Sequence, residues 1–424
     1  MQHDSTRING PKISSIQHVP LPQFYLMELD NGIPVYYIND GSQELCKLDV
    51  VFTGGRHAEE KATQARATGS LVKEGSTKMK SSEMSSFFDY YGASYNCRSS
   101  LDFTTFTLFS LSKYFSELVG TFRDMVFDPV FPEDELVKFK KNSIERLAMD
   151  SAKNEVMSYR YLTEELFGAD HVYGYNSTEN SLNSLNRTDL ISFHRHMVEH
   201  QVCTIFLTGR YSSDVLTELN KNFGQHSYKG DHKIAYKQTR LRSHKKRSPA
   251  PNSLQSAIRL GRHFGSKRHE HYAELSFLNN VFGGFFGSRL MRNIREEKGY
   301  TYNIYSDIDS MMFDGYFYIA SELDKVHVEP ALEEIYKEMD MLCTDLVDED
   351  ELEMNRNYIL GNLLNSVDGP FQAIRLIKSA ILNNQDLDDI HQIIQKFTEL
   401  SAEELRETAR LYLKPSEYIE VIIG

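Results

Sequence analysis

The chain of 424 residues contains an internal repeat, and this repeat limits its possible folds more than any other feature. Three segments of the first half have similar partners in the second half, in the same order and at offsets of 207, 216 and 215 positions. The pairs are YGASYNCRSS (91–100) with KGYTYNIYSD (298–307), FPEDEL (131–136) with VDEDEL (347–352), and VCTIFLTG (202–209) with YIEVIIG (418–424). Because the three pairs occur in the same order at a nearly constant offset, they indicate a tandem duplication of a unit of about two hundred residues.

Each unit has the same expected succession of strands and helices. In the first unit, residues 34–37 and 47–53 have strand composition around a turn at 39–42, which predicts a hairpin, and residues 103–111 alternate like a strand. Apolar residues recur at helical spacing in segments 114–127, 133–149 and 332–342. Because strands and helices are segregated along the chain, we predict an α+β fold with two tandem units, each an antiparallel sheet with helices packed on one face.

A basic, polar segment separates the two units. Residues 224–251 are poor in large aliphatic side chains and end in prolines, which is typical of a linker. We therefore predict an N-terminal unit at 1–225, a linker at 226–250 and a C-terminal unit at 251–424. The basic cluster at 244–247 resembles a nucleic-acid patch, but the chain has a formal net charge of −13. Since phosphate neutralisation supplies most nucleic-acid affinity, we expect no nucleic-acid partner.

The composition indicates the cellular compartment of the protein and the oxidation state of its cysteines. Forty per cent of the residues are hydrophobic, which is enough for more than one core at this length. The four cysteines are far apart and form no CxxC pair, so we expect reduced, structural thiols; they are Cys46, Cys97, Cys203 and Cys343. No signal-peptide pattern and no apolar run of membrane-spanning length is present. We therefore expect a cytoplasmic protein without a membrane partner.

Residues 282–305, FGGFFGSRLMRNIREEKGYTYNIY, contain a candidate pair of hydrogen-bond donors. Arg295 is predicted near the end of a short helix that Gly299 stops, and Tyr302 is predicted to open the next strand. A guanidinium and a phenol together can hold a peptide carbonyl and the oxyanion that it becomes. An ordinary helix end followed by a strand tyrosine has the same local pattern, so residues elsewhere in the chain must decide between the two interpretations.

A literal HxxEH match lies late in the first unit, at His196, Glu199 and His200. This inverted zinc motif places two imidazoles one helical turn apart and needs a third ligand and a glutamate that can activate water. The predicted helix ends within a few residues of the strand at 204–207, which puts His200 at a frayed helix end. We expect a structural or solvent-facing histidine pair, and a metalloenzyme that uses these three residues is the alternative.

The duplicated α+β unit, the Gly54-Gly55-Arg56 segment and the sequence SRLMRNIREEKGYTYNIYS together resemble the pitrilysin and insulinase superfamily of zinc metallopeptidases. The resemblance covers essentially the whole chain and implies one half of a clam-shell. In that superfamily the first unit carries HxxEH on a helix shortly after Gly-Xaa-Arg, with a downstream glutamate as third ligand. The second unit carries an arginine and a tyrosine seven positions apart that help to hold substrate. Arg295 and Tyr302 match this pair in type and spacing.

The first unit departs from the superfamily's zinc motif. With one inserted residue, the positions of the first histidine, the glutamate and the second histidine fall on Arg66, Gly69 and Ser70, and without it on Ala67, Ser70 and Leu71. The third ligand falls near Arg146 or Leu147, beside Glu145, and a lone glutamate cannot hold zinc without nitrogen or sulfur partners. Neither register supplies a zinc ligand, and residues 58–170 contain no histidine.

The resemblance therefore implies a non-catalytic, substrate-binding subunit of a two-chain zinc metalloendopeptidase that acts on extended peptides. A homologous partner with an intact HxxEH would supply the zinc, while this chain would hold no cofactor and would be inactive alone. Arg295 and Tyr302 would be its contribution to the site. A catalytically dead scaffold or interaction protein of the same fold is the alternative, although a scaffold has no need for both residues.

Overall fold

The sheets of the molecule show the repeat directly. A computed structural model describes residues 16, 19–21, 23–230, 236, 244–250 and 253–424. Within these residues the first sheet contains β1 (Tyr25–Glu28), β2 (Pro34–Asn39), β3 (Leu45–Phe52), β4 (Ser94–Ser99), β5 (Thr104–Leu111) and β6 (Cys203–Gly209). The second contains β7 (Lys245–Ser248), β8 (Gln255–His263), β9 (Thr301–Ser310), β10 (Gly315–Asp324) and β11 (Ile419–Ile423).

The two sheets have the same topology. The first has the order β1-β2-β6-β3-β5-β4 and the second β7-β11-β8-β10-β9, so five strands correspond one to one. In each sheet the strand that closes the unit pairs in parallel with an outer neighbour, β2 with β6 and β7 with β11. All other pairs are antiparallel. The prediction of two tandem α+β units is confirmed, with one parallel pair in each otherwise antiparallel sheet.

The hairpin predicted between the first two long strands is wrong. β6 lies between β2 and β3, so these two strands are not neighbours. Every residue of β6 is buried, and a strand of such continuous apolar character is stable only where other strands flank it on both sides. The turn at 39–42 therefore connects two strands that lie on either side of β6 and do not pair with each other.

Part of the predicted linker at 226–250 is a strand. Lys245–Ser248 forms β7, while most of residues 231–243 lie outside the part of the chain that the structure describes. The basic side chains here contact carboxylates: His244 Nε2 lies 2.8 Å from Glu165, Lys245 Nζ 2.9 Å from Glu420, and Arg247 Nη1 2.6 Å from Glu329. The charges of segment 244–247 are thus engaged within the fold.

Helices cover both sheets. Those of the first half are α1 (Gln64–Leu71), α2 (Ser81–Tyr90), α3 (Phe115–Phe127), α4 (Glu133–Ser151), α5 (Asn154–Phe167), α6 (Glu179–Asn183), α7 (Arg187–His200) and α8 (Asp214–Phe223). Those of the second half are α9 (Tyr272–Asn279), α10 (Val328–Thr344), α11 (Glu349–Ser366), α12 (Pro370–Leu382), α13 (Leu387–Glu399) and α14 (Ala402–Tyr412). The predicted helices correspond to α3, α4 and α10. Among the described helices, none is long and apolar enough to cross a lipid bilayer.

Each unit contributes one helix that packs on the sheet of the other unit. α5 of the first unit packs on β8 and β11 of the second sheet, and α12 of the second unit packs on β6 and β2 of the first. The two helices begin 216 positions apart, the offset that already relates FPEDEL to VDEDEL. Leu162 and Leu166 of α5 and Ile374 and Ile377 of α12 are buried in these contacts. At about 2 kcal/mol per buried aliphatic side chain, the exchange holds the two units together.

The cysteines are free thiols. Cys46, Cys97 and Cys203 are buried and Cys343 is partly exposed. Burial raises the pKa of the Cys46 thiol to about 12, so it stays protonated and unreactive.

Candidate functional site

The helix that corresponds to the superfamily's zinc helix is α1. Ala67 and Leu71 are buried in the core, whereas Arg66 is exposed and Ser70 is partly exposed one turn further on. The outward face of α1 is the one from which two ligands would project. The geometry therefore favours the register in which Arg66, Gly69 and Ser70 take the motif positions.

Arg146, at the position of the third ligand, approaches Arg66. Partial desolvation and then the positive charges of Arg146 and Arg56 lower the pKa of the Arg66 guanidinium, and Asp150 opposes them. Zinc is held by imidazole, thiolate or carboxylate, and two guanidinium groups repel a divalent cation. These residues do not fit a zinc ion. In the described part of the chain, no group of three or more His, Cys, Asp or Glu side chains is arranged to hold a metal.

Close packing of α1 on β4 also excludes the motif's glutamate. A Cβ atom added at Gly69 would lie 2.5 Å from Ser99 Oγ and 3.1 Å from the Ser99 amide nitrogen. Ser99 Oγ is itself 2.8 Å from the Thr104 hydroxyl, which restrains it. A glutamate at position 69 therefore requires the Ser99 side chain to move and the adjoining backbone of β4 to shift slightly.

A shielded carboxyl group lies at the start of α1. Glu59 accepts a hydrogen bond from the Ala65 amide at 2.7 Å and another from the Tyr175 hydroxyl. Burial, its largest influence, raises the pKa of Glu59 to about 7 in spite of these donors and of the nearby Arg56. The site next to the degenerate motif thus contains a carboxyl that is largely protonated below neutral pH.

The literal HxxEH match lies at the end of α7. His200 is the last helical residue, and the rings of His196 and His200 are 5.3 Å apart. Gln201 Nε2 lies 3.2 Å from His196 Nε2, and the exposed Glu199 lies 3.9 Å from His200. The helix buries Leu190, Phe193 and Met197 against the core. Both histidine rings are partly exposed, as expected for a solvent-facing pair.

Arg295 and Tyr302 lie on the elements that the sequence predicts. Arg295 belongs to a π-helical turn, Met291–Glu297, and β9 begins directly before Tyr302. Gly299 between them has a φ of +67°, a left-handed conformation that ends the helix at no steric cost for glycine.

The two side chains have different surroundings. The Arg295 guanidinium lies 4.6 Å from the centre of the Phe286 ring and 3.9 Å from Glu296. Tyr302 is 91% exposed. Arg295 therefore has protein partners, whereas nearly all of the Tyr302 side chain is accessible to a ligand.

Ion pairs hold the Arg295 segment in place. Arg289 donates to both carboxylate oxygens of Glu351 on α11, at 3.0 and 2.7 Å, and Asn293 donates to Glu338 on α10 at 2.8 Å. A bidentate guanidinium–carboxylate pair restricts orientation as well as distance. Arg295 is thus carried by a turn that is anchored to two long helices.

Tyr302 lines a cleft of about 200 Å³ between α5 and the second sheet. Ser158 of α5, Arg259 of β8 and Tyr305 of β9 also line it, and Arg295 does not. Arg259, Ala320 and Tyr305 occupy one cross-strand row, because Ala320 pairs with both of the others. The small alanine between two long side chains leaves the space that forms the cleft.

Sequence reasoning missed Arg259. The available signal is an arginine between the apolar residues Ile258 and Leu260, in a strand in which six consecutive residues are buried.

Two family models match this chain. Residues 34–173 match the model described as Insulinase (Peptidase family M16), and residues 184–359 match the model described as Peptidase M16 inactive domain. Together they span most of both repeats.

The chain belongs to peptidase family M16.

Relatives of this M16 chain carry both peptidase and non-peptidase names. An uncharacterized zinc protease, YmxG of Bacillus subtilis, is 25% identical over 80% of this chain and 83% of the relative. An uncharacterized zinc protease of Mycobacterium leprae is 22% identical over 88% and 86%. The protein named Non-peptidase homolog YmxG in Helicobacter pylori is 22% identical over 64% of each chain.

Solved M16 structures share the fold. A peptidase M16 inactive domain from Pseudomonas fluorescens superposes with a TM-score of 0.85 at 20% identity, over 95% of this chain and 98% of that chain. A protease from Helicobacter pylori superposes with a TM-score of 0.87 at 16% identity, over 95% and 100%. At these identities the likeness is one of fold. In this M16 member α1 contains no HxxEH sequence, and Arg295 and Tyr302 stand seven positions apart.

Proposed function

We propose that this chain is the non-catalytic, substrate-binding subunit of a two-chain zinc metalloendopeptidase that acts on extended peptides. One observation carries the proposal: Arg66 and Arg146 approach each other where M16 peptidases need zinc ligands, while Arg295 and Tyr302 are retained. A homologous subunit with an intact HxxEH would hold the zinc. The non-peptidase name of the Helicobacter pylori relative supports an inactive chain.

The second unit has the groups that a peptide-holding role requires. As far as the described residues extend, β9 is the edge strand of its sheet, so its outer backbone groups are open to an extended peptide. The Tyr302 phenol projects from the start of this strand and is positioned to donate to a peptide carbonyl. The contact of the Arg295 guanidinium with the Phe286 ring leaves its in-plane N–H groups to do the same.

The proposal is tested by purifying the chain alone and together with its HxxEH-containing homologue. Alone it is expected to contain no stoichiometric zinc and to hydrolyse no peptide. In the complex, Arg295→Ala and Tyr302→Phe are each expected to lower kcat/KM by about tenfold to a hundredfold, since each removes one donor to the carbonyl oxygen. Arg375→Ala and Tyr90→Phe, at exposed positions outside this segment, are the matched controls.

Two results contradict the proposal in different ways. One equivalent of zinc together with hydrolysis by the chain alone overturns it, and loss of that zinc in His196→Ala would favour the metalloenzyme alternative. Unchanged activity of the complex in both Arg295→Ala and Tyr302→Phe would favour the scaffold alternative, for which the contact of Arg295 with Phe286 is a purely structural one.

A further inference from the structure

We propose that the cleft beside Tyr302 is a subsite for a carboxylate group, with Arg259 as its receptor. The inference rests on the proposed function, because the carboxylate belongs to the peptide that this chain would hold. It adds a preference for acidic over neutral peptides, which the family assignment does not supply.

Arg259 is a buried charge with no carboxylate counter-ion among the residues that the structure describes. The residue is 4% exposed, and among the contacts of the described residues its side-chain hydrogen-bond partner is Ser158 Oγ, 3.4 Å from Nε. A guanidinium has five N–H donors, so most of its donor capacity is unused. Fully buried arginines are rare unless they are paired, since removing a charge from water costs several kcal/mol.

Two aromatic rings account for part of this cost. The guanidinium carbon lies 5.5 Å from the centre of the Tyr159 ring and 5.2 Å from that of Tyr318. Such contacts stabilise a cation by about 1–2 kcal/mol each, but the ring faces accept no hydrogen bonds in the guanidinium plane. The arrangement stabilises the charge of Arg259 and leaves donors for a ligand in the cleft.

A carboxylate is the ligand that this site fits. Its two oxygens match the paired donors of a guanidinium, which is why arginine predominates where carboxylates are bound bidentately. The cleft of about 200 Å³ has room for an acidic side chain or a chain terminus. Glu155 and Glu322 also line it, but both are exposed to water, which screens their repulsion of an anion. Tyr302 and Tyr305 of β9 line the same cleft as Arg259 of β8, and β10 separates the two strands, so an acidic side chain or chain end of a peptide along β9 would extend over the sheet to reach Arg259.

The subsite is tested by direct binding to the isolated chain. Fluorescence anisotropy is measured with one labelled, extended peptide in four forms: a central Glu or Gln, each with a free or an amidated C-terminus. Loss of the recognised carboxylate is expected to weaken binding at least about tenfold, or about 1.4 kcal/mol. The Glu-to-Gln change identifies a side-chain carboxylate, and amidation identifies the C-terminal one.

Variants assign the effect to the cleft. Arg259→Met is expected to bind all four peptides equally and to have a Tm no lower than the wild type, because it removes an unpaired buried charge. Ala320→Leu keeps Arg259 but fills the space between it and Tyr305, so it should lose the preference for acid as well. Arg375→Met, which removes an exposed arginine on α12, should bind like the wild type.

The possible results separate the subsite from the proposed function. Equal binding of all four peptides by the wild type overturns the subsite alone, as does an acid preference that persists in Arg259→Met. No binding of any peptide by the wild type overturns both. If Arg259→Met does not fold, binding of the four peptides to the wild type and to Ala320→Leu still tests the subsite.

Discussion

Arg259 and Tyr302 line the same cleft, although the arginine is 4% exposed and the tyrosine 91%. Their strands are not direct neighbours, because β10 lies between β8 and β9. The side of the cleft opposite the sheet comes from the other unit, through Ser158 of α5. The exchange of helices between the units therefore builds the cleft that Tyr302 lines.

Gly69→Ala is expected to destabilise the chain by about 1 kcal/mol. Overpacking against Ser99 costs about 1–3 kcal/mol, and alanine's helix propensity returns up to about 1 kcal/mol. Urea unfolding measures the difference. The loss should shrink when Ser99→Ala is combined with it, and Ser70→Ala on the same helix should not destabilise. A stabilised Gly69→Ala would show that α1 and β4 pack less closely than described.

Glu59→Gln is expected to alter the pH dependence of stability. The carboxyl has a pKa of about 7 in the fold against 4.5 when unfolded, so the folded chain binds more protons between these values. Its contribution is fully present below pH 4.5 and is lost as pH rises through 7. Glu59→Gln should therefore match the wild type near pH 4.5 and exceed its free energy of unfolding by about 3 kcal/mol at pH 8.

Urea unfolding at a series of pH values checks this, with Glu60→Gln, an exposed neighbour, as the control. A constant difference between Glu59→Gln and the wild type across this range would contradict the shifted pKa.

Glu351→Gln is expected to destabilise the chain by about 2–4 kcal/mol. It leaves the largely buried guanidinium of Arg289 without a carboxylate and releases the turn that carries Arg295. Amide hydrogen exchange at residues 291–297 should accelerate along with the loss of stability. Glu349→Gln on the same helix, 77% exposed, should change stability by less than about 0.5 kcal/mol. Unchanged exchange in Glu351→Gln would show that the ion pair does not anchor the turn.

Lys378→Met is expected to weaken the contact between the units. Lys378 Nζ of α12 lies 2.7 Å from the buried Asp49 of β3. Burial would raise the pKa of Asp49, but Lys378 and then Lys47 hold it below its ordinary value. That contribution is present above the unfolded pKa of 3.8 and is lost as pH falls through the lower folded value.

The variant should therefore lose about 1–2 kcal/mol at pH 7 and progressively less below pH 4, measured by urea unfolding. Arg375→Met, one turn away and exposed, is the control. An equal loss of stability at pH 7 and below pH 4 would indicate that altered packing, and not the lost ion pair, is the cause.

Local periodicity accounts for the parts of the fold that the sequence predicted. The helical spacing in 114–127 and 133–149 predicted α3 and α4, because a stripe of apolar residues every three to four positions is stable only as one buried helix face. The predicted pairing of β2 with β3 was wrong for the opposite reason. Alternation shows that a segment is a strand, but not which strand lies beside it, and β6 is 150 residues or more away along the chain.

The candidate site likewise has features that the sequence predicted and features that depend on the tertiary structure. The type and spacing of Arg295 and Tyr302 can be read from the sequence. The sequence also predicted the helix end that carries Arg295 and the strand that carries Tyr302. The contact of Arg295 with Phe286 and the neighbours of Tyr302 in the cleft depend on how distant segments pack. Arg259 was missed because its significance lies in its burial without a carboxylate partner among the described residues, which a sequence does not show.

By itself, the sequence determined that the chain is a duplication and that residues 58–170 contain no histidine with which to hold zinc, because order and residue type are independent of folding. Only the tertiary structure showed that Ala67 is buried in the core while Arg66 of the same helix is exposed. It also decided that Arg259 lies beside Tyr302. Burial and charge proximity arise when distant segments pack together, and packing of α5 of one unit on the sheet of the other creates the cleft.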